Sequence, residues 1–449
     1  MKHIWAIPLL FAVSAVQVWS QTDSSQASNQ TAWHPTVNGD TSSLAFSPES
    51  QRVNLLTGGV TFSGTYDDNA FSTYRDHIGS AGAMITPNLS ITEQRTRSVV
   101  TLNYNPGFLW SQESPVHSEE SQNVDFNTQY RLTERVTVRI HQTFIDQNTL
   151  FNQLNEVPLL SGGNVLAQSN QSTFTPLTTT ITDASDLDLV DQIGEGTSIG
   201  VTGTFNKLKF KDSSNSPLDL FDNQAWSGQA FYSHHLSARH TLGVTYTFQK
   251  FATFGQILEH TQSQNVLLFY RVDFKPGVFV SIFAGPDRSI ANDKFQLNLG
   301  PISVPVNQTN AMWLVDEGIN LGWQGQRTSA LLNLVHHVTD GGGLAGAVQL
   351  YSATLGLRRQ LSNALTADLA ANYGDNDPLS HSYGTSTFAG YGGTIGLSRT
   401  LGANLSVGMR YGRYSQKFEQ FQSTTVPSFP ANHNQAWITV TYRFTRPLG

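Results

Sequence analysis

The stretch Asn123–Leu132, NVDFNTQYRL, alternates without a break. Val124, Phe126, Thr128, Tyr130 and Leu132 fall on one side, and Asp125, Asn127, Gln129 and Arg131 on the other. Side chains on a β-strand alternate with a period of two, so the spacing predicts a strand with one apolar and one wet face. The rhythm returns along the chain. Leu242, Val244, Tyr246 and Phe248 alternate with Gly243, Thr245, Thr247 and Gln249. Leu365, Ala367, Leu369, Ala371 and Tyr373 alternate with Thr366, Asp368, Ala370 and Asn372, and Leu405, Val407, Met409 and Tyr411 with Ser406, Gly408, Arg410 and Gly412. Alternation alone leaves the mounting open. A soluble sandwich buries the apolar face, whereas a membrane barrel turns it to lipid and keeps the polar face in a watery lumen.

The connections carry a second signal. Tight turns are expected at Thr133-Glu134, Gly194-Glu195-Gly196, Ser237-Ala238-Arg239, Lys275-Pro276-Gly277, Gly325-Gln326-Arg327, Ser362-Asn363-Ala364 and Gly402-Ala403, whose residue types suit hairpins. Between them the spacing predicts longer connections rich in Gly, Asn, Asp and Pro, such as Asp287–Asn310, Gly374–Tyr383 and Lys417–Ala431. Short and long connections therefore alternate, as the periplasmic turns and external loops of outer-membrane barrels do. Counting by this parity gives about 17 strands from Ala83 onward, and Gly59–Asp67 adds a first one. With an even number the rule, the expectation is about 18 strands with 16 as the fallback. The faintest segment is Pro176–Gln192.

Composition changes the picture in favour of lipid. Charged residues make up 13%, about half the ~25% usual in soluble proteins, and the polar faces are built from Thr, Ser, Asn, Gly and Gln. No stretch after the N-terminal segment reaches the ~20 apolar residues of a membrane helix. The net charge of −7 shows no basic cluster, which argues against nucleic acid as a partner. Residues 1–20 have the basic start, apolar middle and polar exit of a signal peptide, with cleavage near Ser20. Residues 21–57, rich in Ser, Gln, Asn and Thr, read as a flexible polar leader, and residues 58–449 as the barrel. The chain holds no cysteine, so lipid anchoring at a cysteine is excluded and stability must come from pairing and packing.

The C-terminal WITVTYRFTRPLG places Ile438, Val440, Tyr442 and Phe444 on one face and Thr439, Thr441 and Arg443 on the other. It resembles the last strand of Gram-negative outer-membrane β-barrels, which the insertion machinery reads as a sorting signal ending in an aromatic. Here Phe444 is followed by Thr445-Arg446-Pro447-Leu448-Gly449. Together with GGVTFSGTYDDNA (Gly58–Ala70) and IFAGP (Ile282–Pro286), the chain resembles porin-like outer-membrane barrels of soil acidobacteria. The resemblance implies an all-β, transmembrane, antiparallel up-and-down barrel in the outer membrane, with membrane lipid and the insertion machinery as partners. It implies no substrate. In that mounting, Phe126 and Tyr130 of the opening stretch face lipid, and Trp110, Trp226, Trp313, Trp323 and Trp437, near strand ends, form an interfacial girdle.

The candidate site is then the lumen wall. Alternation assigns to it Asp125, Arg131, Arg139, His141, Arg271, Asp273, Arg358, Asp368 and Arg410, because mid-membrane Arg or Lys on the lipid face costs about 2–4 kcal/mol. Rings of such charges set ion selectivity in pores; paired with one another, they would only brace the wall. His234-His235 and His336-His337 cannot chelate as neighbours, since they point to opposite faces. Asp183, Asp186, Asp188 and Asp191, and the run Gly374–Asp377, read as turn chemistry in preference to calcium loops. Gly341-Gly342-Gly343 reads as a loop apex. No metal, cofactor or catalytic motif is expected, so the chain reads as no enzyme. The function expected is passive diffusion of small hydrophilic solutes, with a plugged barrel for structural, adhesive or display roles as the alternative. The fate of Gln21–Thr57 and Asn148–Thr175 would discriminate the two, and oligomeric state is not readable.

Overall fold

A computed structural model describes residues 54–71, 77–112, 118–148, 178–211, 220–254, 258–299, 302–343, 346–380, 386–420 and 431–447. The expected signal peptide, nearly all of the leader, and the connection after Asn148 lie outside these residues.

The described chain is strand and turn throughout. In chain order the strands are β1 (Asn54–Asp67), β2 (Ser80–Gln94), β3 (Ser98–Tyr104), β4 (Gly107–Ser111), β5 (Ser118–Arg131), β6 (Val136–Asn148), β7 (Thr179–Gly194), β8 (Thr197–Phe210), β9 (Asp222–Ser237) and β10 (His240–Phe254). They continue with β11 (Leu258–Lys275), β12 (Val278–Leu299), β13 (Ile302–Gln324), β14 (Thr328–Asp340), β15 (Ala347–Gln360), β16 (Leu365–Pro378), β17 (Ser386–Thr400), β18 (Leu405–Gln420) and β19 (Ala431–Pro447). Apart from β3 and β4, each pairs antiparallel with its sequence neighbours, and β1 pairs with both β2 and β19, so the sheet closes on itself. β3 and β4 both lie between β2 and β5. They are one stave interrupted at Asn105-Pro106, because proline has no N–H for the ladder. The closed antiparallel barrel therefore has 18 strands, the expected number.

Closure removes every sheet edge, and in lipid that satisfies the backbone. The side chains show which way the sheet is mounted. On β11, Leu268 is 63% exposed and its neighbour Leu267 is fully buried. On β10, Leu242, Val244, Tyr246 and Phe248 are exposed outside, while Thr241, Thr245, Thr247 and Gln249 are buried inside. The exterior repeats this band around the wall, with Tyr130, Leu132, Ile140, Leu189, Val201, Ile319, Leu357, Ile395 and Met409 among its exposed apolar residues. A soluble protein would expose no such belt. An 18-stranded barrel with an apolar exterior is an integral outer-membrane protein.

The expected tight turns all join strands at one end, and glycines with positive φ occupy three of them: Gly196 (76°), Gly277 (79°) and Gly402 (121°). Corrections fall at the opposite end. Asp287–Asn310, expected as a loop, is instead the outer part of a hairpin whose strands run 22 and 23 residues, paired from Asp287↔Leu314 to Leu299↔Ile302. Here the inward positions Asp287, Ser289 and Ala291 are buried without forming an alternating apolar face, so the apolar periodicity ends while backbone pairing continues. Likewise β16 extends through Gly374 to Pro378 and β18 through Lys417 to Gln420, where loops were expected. From Thr179 on, the faint segment forms a strand, β7. Trp110, Trp226, Trp313 and Trp323 are exposed on the exterior, but Trp437 is 2% exposed. Ile438 points outward, so Trp437 must point in, and it does not belong to the girdle.

Candidate functional site: the barrel lumen

The inward positions of β5 to β8 form a polar network. Arg139 Nε donates to Asp188 Oδ2 at 2.6 Å, and Asp188 also accepts from Thr202 Oγ1 at 2.7 Å. His141 bridges two carboxylates, with Nε2 2.7 Å from Asp125 Oδ2 and Nδ1 3.3 Å from Asp186 Oδ2. Asn103 Nδ2 donates to Asp125 at 3.1 Å, and Thr143 Oγ1 at 3.3 Å. These groups span consecutive staves, so the network ties strands together across the wall.

Lower in the barrel, Arg271 pairs with Asp273 at 2.9 Å on the same strand and lies 4.3 Å from the centre of the Phe279 ring. Arg410 Nη2 reaches Asp368 Oδ2 at 3.2 Å although β17 lies between their strands. Gly396 of β17 makes that reach available: a Cβ there would sit 2.7 Å from both Asp368 carboxylate oxygens. Arg358 is in register with Asp368 from the other side and is exposed. Arg131 lies at the turn end of β5 and donates to the Thr96 carbonyl at 3.2 Å. Of the nine sequence candidates, Asp125, Arg139, His141, Arg271, Asp273, Asp368 and Arg410 thus occupy side-chain pairs or networks. Ile438, Val440, Tyr442 and Phe444 are all exposed on the exterior of β19.

His336 and His337 do point to opposite faces, His336 stacking outside on Tyr351 at 3.9 Å while His337 is buried. Of the aspartates on β7, Asp186 and Asp188 point inward to join the network, while Asp183 binds Gln142, an exterior neighbour of Ile140. Among the described residues, no three His, Cys, Asp or Glu side chains gather as a metal site.

The lumen has one further feature, which strand periodicity does not report. β14 pairs with β13 only as far as Glu317↔His336, although β13 continues outward on β12. The β14–β15 ladder itself runs on to Asp340↔Ala347. Released from β13, the end of this hairpin bends inward. Val338 and Ala347 pack against Phe251, an inward residue of β10, with Leu379, Met312 and Leu314 around them. The Ala347 amide donates to Glu259 Oε1 of β11 at 3.0 Å, and the Phe221 amide before β9 donates to the Gly343 carbonyl at 2.8 Å. Gly343, with φ 91°, lets the apex lie against Phe210, whose ring would be 2.3 Å from a Cβ there. The hairpin apex therefore crosses from β14 to the mouth of β8 and β9, inside the barrel.

A second buried polar cluster closes the seam between the first and last strands. Asp67 accepts from the Asn69 amide at 2.8 Å and from Gln435 Nε2 at 2.6 Å, with His433 Nδ1 3.2 Å away. The sequence signal for it was weak, since Asp67 and His433 lie 366 positions apart.

No family model matches the chain, and no curated protein shows a significant match. Solved structures that resemble it include outer-membrane proteins and an import receptor. OpdK of Pseudomonas aeruginosa, crystallised with vanillate, is 11% identical, covering 87% of this chain and 98% of its own at a TM-score of 0.38. OccK2 (OpdF) of the same organism, in complex with glucuronate, is 10% identical over 89% and 100%, with a TM-score of 0.41. The ferric-catecholate import receptor Fiu of E. coli K12 is 10% identical over 89% and 82%, with a TM-score of 0.43.

Proposed function

We propose that the barrel is a pore for passive diffusion of small hydrophilic solutes across the outer membrane, narrowed from within by the β14–β15 hairpin. The observation that carries this reading is the combination of a closed 18-strand wall with an apolar outside and a polar, charged inside. Sixteen to eighteen strands enclose a lumen wide enough for water. A hairpin folded against the inner face of β9 to β13 converts such a lumen into a constriction. On this reading the pairs Arg139–Asp188, His141–Asp125 and Arg410–Asp368 hold the wall and present fixed dipoles to a passing solute, and Arg358 presents its charge directly. The chain works as a channel and not as an enzyme, with membrane lipid and the barrel-insertion machinery as its other partners.

One observation favours a second reading, a filled barrel with a structural or display role. The inner wall includes a dry cluster of Leu267, Phe269, Phe283 and Val335, and the hairpin lies over this side. Single-channel recording in a planar bilayer separates the two. The wild type is expected to conduct, and a variant in which residues 340–347 are replaced by an Asn-Gly turn is expected to conduct more. If both are silent, the filled barrel takes its place.

A further inference from the structure

Behind the root of the inward hairpin lie two buried aspartates of adjacent strands, with no ion pair to either among the described residues. Asp287 of β12 is 0% exposed and Asp316 of β13 is 2% exposed. Asp287 is in register with Leu314, two residues from Asp316, so the two inward side chains are diagonal neighbours on adjacent strands. Ser263 Oγ and Ser289 Oγ both donate to Asp287, the latter at 2.6 Å. Asn265 Nδ2 donates to Asp316 Oδ2 at 2.7 Å, and Asp316 lies one residue beyond Glu317↔His336, the last β13–β14 pair, where the hairpin leaves the wall.

Two neighbouring buried carboxylates repel one another unless a positive charge lies between them. The second observation is that the cluster holds oxygens with nothing to accept. Asp316 Oδ1 and Asn265 Oδ1 are both buried and have no hydrogen-bond partner, and Asn265 is 3% exposed. The amide that leaves its oxygen free is held against Asp316 by its own nitrogen. Carboxylate, amide carbonyl and hydroxyl oxygens, without nitrogen or sulfur, are the ligand set of a hard cation, and calcium tolerates irregular geometry where magnesium requires a near-ideal octahedron.

We propose that Asp287, Asp316 and Asn265, supported by Ser263 and Ser289, form a calcium site that fastens the root of the inward hairpin to the barrel wall. The strands concerned, β11, β12 and β13, are those the hairpin covers. The β13–β14 ladder ends at Glu317↔His336, beside Asp316, so ordering that carboxylate orders the point where the hairpin bends away. With two formal negative charges the affinity is expected in the range of external calcium modules, with Kd about 10⁻⁴–10⁻³ M.

The test uses full-length protein purified in detergent and stripped with EDTA. Calcium chloride is titrated by calorimetry, the thermal unfolding midpoint is read at each concentration, and magnesium chloride is the comparison. The wild type is expected to bind one calcium more than Asp316→Asn or Asn265→Ala, and its midpoint to rise with calcium and saturate. In the variants that increment is lost or weakened at least tenfold, while Glu195→Gln, in an exposed turn, keeps it. Asn265→Ala retains both carboxylates and serves if Asp316→Asn fails to assemble. Equal binding by wild type and both variants overturns the proposal. So does a midpoint indifferent to calcium that falls as pH rises, which would mean the carboxylates share a proton instead.

Discussion

Replacing Arg139 with Met is expected to destabilise the barrel by about 3 kcal/mol, and the size follows from how dry its ion pair is. The guanidinium lies 2.5 Å from Asp188, with side-chain exposures of 19% and 8%. At that separation and an effective dielectric of about 20, the gross Coulomb attraction is about 7 kcal/mol. Removing one partner of a buried pair costs about 3–5 kcal/mol, since the remaining charge is left desolvated. Thr202 still donates to Asp188, which places the estimate at the lower end. The Arg410–Asp368 pair supplies the internal control. Its side chains are each 32% exposed at 3.2 Å, so lumen water screens it and Arg410→Met is expected to cost no more than about 1 kcal/mol. Adding Asp188→Leu to Arg139→Met removes the orphaned charge and is expected to recover most of the loss. The assay is urea unfolding of the barrel in lipid vesicles, followed by tryptophan fluorescence and by gel mobility of unboiled samples. Equal costs for the two arginine variants, or no recovery in the double variant, would refute the assignment of Asp188 to a dry wall network.

Three further outcomes are expected. Cysteines at Val244 or Tyr246 react with lipid-phase probes and those at Asn127 or Gln129 with water-soluble ones, while Thr245→Cys, buried inside, reacts with neither until the barrel unfolds; a one-residue register slip would swap every assignment. Arg358→Glu shifts the ion preference of the open channel toward cations, more strongly at low salt because the Debye length is about 8–10 Å near physiological ionic strength; an unchanged reversal potential at low salt would remove Arg358 from the conduction path. Phe444→Ala lowers the yield of heat-modifiable barrel without altering the conductance of survivors, and Gly58→Val does the same, because a Cβ at Gly58 would lie 2.4 Å from the Phe444 ring that covers it.

Much of the fold was legible because a membrane barrel makes the same demand at every strand. Lipid outside and water inside impose a period of two wherever the chain crosses, and Leu242–Gln249 and Leu405–Gly412 obey it residue by residue. Turn glycines 196, 277 and 402 mark the short connections because each adopts a positive φ. The signal fails where the demand stops. Residues 287–299 and 302–310 pair as strands although their inward positions include polar Asp287 and Ser289, so backbone pairing there runs without an apolar alternation. β7 looked faint because its inward Asp186 and Asp188, with Asp183 outside, replace the usual Thr and Ser. Trp437 lies near a strand end, as girdle residues do, yet parity with its outward neighbour Ile438 turns it into the barrel.

The site was legible as a list of inward charges and illegible as an arrangement, for a physical reason. Alternation specifies the side of the sheet, but pairing depends on register across strands that are distant in sequence. Arg410 meets Asp368 only because Gly396 leaves the intervening stave bare, and Arg139 meets Asp188 across a connection outside the described residues. The hairpin is the extreme case. Its Gly341-Gly342-Gly343 apex looks like any external loop, and nothing local distinguishes a loop that folds out from one that folds in. What decides it is the far wall: Glu259, Phe221 and Phe210 offer a carboxylate, an amide and a ring to the apex. Burial of the hairpin over β11 to β13 in turn explains why Asp287 and Asp316, on a wall that would otherwise be wet, are dry. A lumen wall exposed to water could leave two such carboxylates ionised and hydrated. Under the hairpin they cannot stay so, and either a cation or a proton must lie between them. The identity of that charge therefore bears on whether the constriction is a fixed part of the wall or one that the medium can loosen.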